Sequence, residues 1–100
     1  MRNIILFELN EVPFSVIDYY IKKFPQSVVA KTLSKSYQYE TRTEDKGHLH
    51  PWSTWPTIHR GVTNELHGIK DFGQDLARIN KAYPSIWEML IDKNVSTGVW

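Results

Sequence analysis

Asn3-Ile4-Ile5-Leu6-Phe7, running into Glu8-Leu9-Asn10-Glu11, is a short apolar stretch that stops at a cluster of oxygen-bearing side chains. A continuous apolar run of this length predicts a buried strand, of the kind found inside a parallel sheet. Phe14, Ile17, Ile21 and Phe24 then recur at helical spacing while Asp18, Lys22 and Lys23 fall off that stripe, and Pro25 ends the helix. Residues 26–36 predict a second short helix that buries Val28, Val29 and Leu33, and Tyr37-Gln38-Tyr39-Glu40-Thr41 alternates as a half-exposed strand does. A polar loop at residues 43–48 leads to Ser53-Thr54-Trp55-Pro56-Thr57, where Pro56 predicts a helix start, since proline lacks the N–H that has no partner at the first helical position. Residues 70–82 read as an irregular surface segment. Pro84 opens a helix through Asn94 that buries Ile86, Trp87, Leu90 and Ile91, and residues 95–100 read as the next strand. Strand and helix in alternation spell an α/β fold, a mostly parallel sheet flanked by helices, with no internal repeat, low-complexity tract or domain boundary across residues 1–100.

Composition narrows the function classes. With 41% hydrophobic and 23% charged residues the chain belongs with folded globular proteins. A net charge of +1 and no basic stripe argue against a nucleic-acid polymer or an anionic membrane as partner. No cysteine is present, which removes disulfides and thiolate metal sites. The apolar residues before Glu8 are too few for a signal segment or a membrane span, so the expected location is cytoplasmic.

Chemistry concentrates at two places. A helix beginning at Pro56 would leave Thr54 just outside it, where unpaired N–H groups attract phosphate or sulfate. A threonine hydroxyl there attacks only with the help of a base or a metal ion. Glu8, Asn10 and Glu11 stand at the carboxyl end of the first expected strand, the place where open α/β sheets bind ligands, and offer oxygen donors to a cation. Each residue also has a plain structural role. Thr54, Ser53 and Asn10 are good helix caps, and Glu11 suits a first helical turn. Trp52 and Trp55 suit a core as well as a pocket wall, and Arg60 suits a solvated helix face. His48, His50 and His59 have no recognisable partner ligand in the sequence.

The run from Ile4 to Asn10, the helical segment at residues 13–24, Thr54-Trp55-Pro56 and His67-Gly68-Ile69 together resemble the alkaline phosphatase superfamily, in its type I phosphodiesterase/nucleotide pyrophosphatase and sulfatase-like branches. The resemblance spans nearly the whole chain and implies the N-terminal portion of a single alkaline-phosphatase-like catalytic domain. It implies a metal-dependent hydrolase of phosphate diesters or related phosphoryl or sulfuryl esters, acting on a small-molecule or ester substrate. Thr54 takes the place of the nucleophile, which also touches one of two metal ions, by resemblance zinc, with manganese or calcium as alternatives. Asn10 takes the place of a metal-binding aspartate, and His67 that of a hydrogen-bonded structural histidine. Asparagine brings no negative charge, so the resemblance leaves two outcomes open: Asn10 still serves the metal, or catalysis is lost and the scaffold serves as a binding or structural protein.

Overall fold

The computed structural model describes residues 3–99. Among them the regular elements are all helices: α1 (Phe14–Lys23), α2 (Val28–Leu33), α3 (Pro51–Arg60), α4 (Asn64–His67), α5 (Ala77–Ala82) and α6 (Ile86–Ile91). The expected α/β fold with its mostly parallel sheet is therefore corrected. Residues 3–9, 37–41 and 95–99 carry no strand, and Trp100 lies outside the described residues. The physical reason is that a strand exists only through a neighbour that pairs its N–H and C=O groups. An apolar run states the preference of the segment and not the presence of that neighbour. Ile4 and Ile5 are 89% and 88% exposed, so the first expected strand is not buried either.

Contacts along the chain divide it into one unit ending at Glu40 and another beginning at Thr41. In the first unit α1 follows the sequence pattern closely. Pro13 caps it in an extended conformation, its carbonyl accepting from the N–H groups of Val16 and Ile17. Phe24 closes it, donating its N–H to the Tyr20 carbonyl, and Pro25 prevents continuation. Lys22 and Lys23 occupy the last turn, where cations complement the helix dipole. The apolar stripe is only half covered: Ile17 and Ile21 are partly buried, while Phe14 and Phe24 are exposed. α2 is shorter than the pattern suggested. Ser27 caps it by accepting from the Ala30 N–H, and Ala30 is the residue it buries, whereas Val28 is exposed.

The second unit is tied together differently. α3 starts at Pro51 and contains Pro56 in its interior, five residues beyond the true start, which corrects the expected beginning at Pro56. Both prolines satisfy the rule for a first helical position. The upstream one prevails because the N–H and the hydroxyl groups of both Ser53 and Thr54 converge on the His50 carbonyl and close a first turn there. Gly61 ends α3 in the left-handed conformation at φ 67°, donating its N–H to Thr57, and Gly68 ends α4 in the same way at φ 66°. α5 occupies the end of the segment expected to be irregular. α6 begins after Ser85, whose backbone and side chain take part in a reciprocal capping box with Glu88. Trp87 and Leu90 of α6 are partly buried, but Ile86 and Ile91 are exposed, against expectation. Among the described residues no helix is long and apolar enough to cross a membrane.

Candidate functional site

The best-organised cluster of polar side chains lies where α3, α4 and residues 43–46 meet. Thr57, on the second half of α3, donates its hydroxyl to Asp45 Oδ2 at 2.7 Å. The other oxygen of Asp45, Oδ1, accepts the Asn64 N–H at 2.7 Å, which caps the start of α4. His67 Nε2 lies 3.0 Å from the same Thr57 hydroxyl, and His67 Nδ1 accepts the Ile69 N–H at 2.9 Å. Asn64 completes the arrangement by bonding the backbone of Lys46 in both directions, from its Nδ2 to the carbonyl and from the Lys46 N–H to its Oδ1. Asp45, Ser53 and His67 are all buried, His67 to 2% exposure. Burial without partners would be costly for these groups, and here the partners are present.

The hydrogen-bond pattern fixes what this cluster can do. Because Nδ1 of His67 accepts a backbone N–H, the neutral ring carries its proton on Nε2, and that proton points to Thr57 and to the Ser53 carbonyl. The imidazole is held below its usual pKa, chiefly by burial; the Asp45 carboxylate opposes that shift and the Arg60 cation adds to it. A neutral histidine whose free lone pair already faces Ile69 has none to offer the Thr57 proton. Asp45, Thr57 and His67 thus form a structural clip and not a nucleophile with its base, despite the residue types involved.

Thr54 sits on α3 one turn before Thr57. It occupies the fourth helical position, half-buried, and its hydroxyl donates to the His50 carbonyl at 3.1 Å. Its own N–H is bonded to the same carbonyl, so the expected nest of unpaired N–H groups beneath Thr54 is not there. Pro56 has a different effect from the one expected: lacking an N–H, it leaves the Trp52 carbonyl without an intrahelical donor, and α3 is weakened next to Thr54. Asn10 lies at the turn formed with Glu11, which adopts a left-handed backbone at φ 55°, and both are exposed. Asn10 belongs to the first unit and Thr54 to the second. Among the described residues no three His, Asp or Glu side chains converge as metal ligands. Asn10 and Thr54 alone supply two neutral oxygen donors where zinc takes four ligands, so by themselves they do not amount to a two-zinc centre.

The remaining aromatic and basic residues have structural partners. His59 stacks on Trp55 with centroids 5.6 Å apart and meets Trp87 edge-on at 5.0 Å, while Trp52 packs against Phe72. Together they wall an open cleft of about 380 Å³ that Arg60 and Ile69 also line. Arg60 is not the solvated residue its position suggested: it donates to the Tyr83 carbonyl and to Asn80 Oδ1, joining α3 to α5 and its end. His48 and His50 lie with ring centroids 5.7 Å apart. Sequence reasoning missed Asp45 and Asn64. Their signal was available only as an acid in a polar loop and an asparagine after Thr63, both common in turns. Searches against protein-family models, curated proteins and solved structures find no match to this chain.

Proposed function

We propose that the chain is the N-terminal portion of a hydrolase of phosphate diesters or related phosphoryl or sulfuryl esters, with Thr54 as nucleophile. What supports the reading is that Thr54-Trp55-Pro56 and His67-Gly68-Ile69, two of the four parts of the sequence pattern that resembles the alkaline phosphatase superfamily, are tied to one another by the Thr57–His67 contact one turn beyond Thr54. The clip would hold α3 in place, and rotation of the Thr54 side chain away from the His50 carbonyl would free its hydroxyl for attack on phosphorus or sulfur. A divalent metal, zinc by the resemblance, belongs to the same proposal. Asn10 and Thr54 would contribute to it, and the other donors would have to come from beyond the described residues.

One observation favours a second reading. The Thr54 hydroxyl is already engaged within its own helix, as that of a purely structural threonine is, and Asn10 lacks the charge of the aspartate it replaces. A scaffold without catalysis that binds a partner fits those facts. The experiment that separates the two is Thr54→Ala in the full-length protein, assayed on an activated phosphodiester and an activated sulfate ester with zinc or manganese. The hydrolase reading expects turnover to vanish while the thermal midpoint barely moves, since one side-chain hydrogen bond within a helix contributes on the order of 1 kcal/mol or less. Retained turnover with a lowered midpoint would make the hydroxyl structural.

A further inference from the structure

Outside the proposed nucleophile, the clip joins two buried side chains, Asp45 and His67, to two half-buried ones, Thr57 and Asn64. It holds together three segments that are distant in sequence. Asn64 lies 19 residues from Asp45 and Thr57 lies 12 from it, and these bonds, with the Asn64 bridge to Lys46, fasten residues 43–46 to α3 and α4. Each bond has a direction. Thr57 has one proton and two acceptors in reach, and the nearer, Asp45 Oδ2 at 2.7 Å against the Ser53 carbonyl at 3.2 Å, takes it, so its oxygen is left to accept from His67 Nε2. His67 Nδ1 must stay unprotonated to accept from Ile69. The chain of donors therefore runs one way, from the Ile69 N–H through the imidazole and the threonine hydroxyl to the carboxylate, and it closes only around a neutral imidazole.

We propose that His67 is a proton-operated latch: a proton added at Nδ1 sets two N–H groups head to head across the Ile69 contact and opens the turn at residues 67–69. The proposal does not depend on the hydrolase reading, since it concerns only how the second unit is fastened. Nε2 already donates, so the cation gains no new acceptor at that end. The charged groups around the ring divide. Asp45, from residues 43–46, favours the imidazolium, and Arg60, from α3, opposes it. Asp75 and Arg78, before and on α5, share a cleft with His67 and carry opposite charges. Lys46 and Glu65 neutralise each other in an exposed pair at 3.3 Å. Burial at 2% exposure leaves the cation little solvation, and the ring sits below its usual pKa for that reason first. The sign follows. The released form binds the proton more readily than the latched form, so latching is complete above about pH 6.5, the ordinary histidine value, and weakens as pH falls from there through the lowered value of the folded ring.

The test is a nuclear magnetic resonance titration of the whole chain, labelled at histidine nitrogen and backbone amide, from about pH 7.5 to 4.5. At neutral pH the His67 ring nitrogens should report the Nε2–H tautomer, and its midpoint should fall below about 6.5. The Ile69 amide should lose exchange protection in the same step, by up to about tenfold per pH unit after correction for intrinsic rates, which is the slope one proton gives, while the Asn64 amide, held by Asp45, stays protected. The Ser85 amide, held by Glu88 in another part of the unit, should stay protected through that step. His67→Gln should remove the step and His59→Gln should keep it. If His67→Gln fails to fold, the wild-type titration decides, because coincidence of the ring and Ile69 amide midpoints is itself the expected result. An Nδ1–H tautomer, an Ile69 amide that stays protected after His67 has titrated, or a step that persists in His67→Gln would each overturn the latch.

Discussion

The two ends of the chain fold by different means. Between Phe14 and Leu33 the hydrogen bonds are local: helix bonds, a proline cap, and a serine that closes its own helix. Between Asp45 and Glu88 polar side chains in part-buried bonds reach across 10 to 23 residues to fix one segment on another. Apolar side chains are plentiful in both regions. In the first many are exposed, with Val28 at 79%, whereas the second buries Ile69 and, with it, the polar side chains of Asp45, Ser53, His67 and Ser85. The lesson is that in a chain with this little buried apolar surface, satisfied polar bonds of high sequence separation fasten the segments of the second region to one another. Burial makes such bonds expensive to lose.

The largest effect should come from breaking the clip. Asp45→Ala leaves the Thr57 hydroxyl and the Asn64 N–H without their acceptor, and should destabilise the second region by about 3 kcal/mol. Tryptophan fluorescence in a denaturant titration reads this region alone, because Trp52, Trp55, Trp87 and Trp100 all follow Thr41. A loss below about 1 kcal/mol would show that the clip decorates the structure without holding it.

A smaller effect sharpens the contrast, because one substitution can be made in both regions. Ser85→Ala removes a fully buried cap whose hydroxyl and N–H both reach Glu88 Oε2 at 2.7 Å, and should cost about 1 to 2 kcal/mol. Ser27→Ala removes a partly exposed cap on α2 and should cost about 0.5 kcal/mol. The Ser85 hydroxyl, and then its N–H, hold the Glu88 carboxyl below the usual carboxylate range. The contribution is therefore present above the ordinary glutamate value, about 4.3, and is lost as pH falls through the lowered value of the folded group. Comparison of the wild type with Ser85→Ala across that window should show the difference shrinking as the medium becomes more acid. Equal costs for the two serines, independent of pH, would erase the distinction between the regions.

How much of this was legible in the sequence follows the same division. α1 was readable because Ile17, Ile21 and Pro25 state a local preference that nothing overrides. α6 was readable from its apolar spacing, although its start moved from Pro84 to the cap at Ser85. The start of α3 was misplaced because Pro51 and Pro56 obey the same local rule, and only the bonds to the His50 carbonyl distinguish them. The strand expected at residues 3–7 failed because pairing is a property of two segments, and one sequence window describes only one of them. Of the candidate site, Asp45 and Asn64 were not legible, since each works through a partner 12 to 19 residues away that no local pattern names.

Amide hydrogen exchange across the whole chain near neutral pH tests the contrast most directly. The amides of Asn64, Ile69 and Gly61, which bond within or beside the clip, should be among the slowest, while those of residues 4–7 exchange close to their intrinsic rates. Residues 4–7 protected as strongly as Asn64 would mean that this run is paired and buried, and would contradict the claim that long-range polar bonds, and not the apolar run, organise this protein.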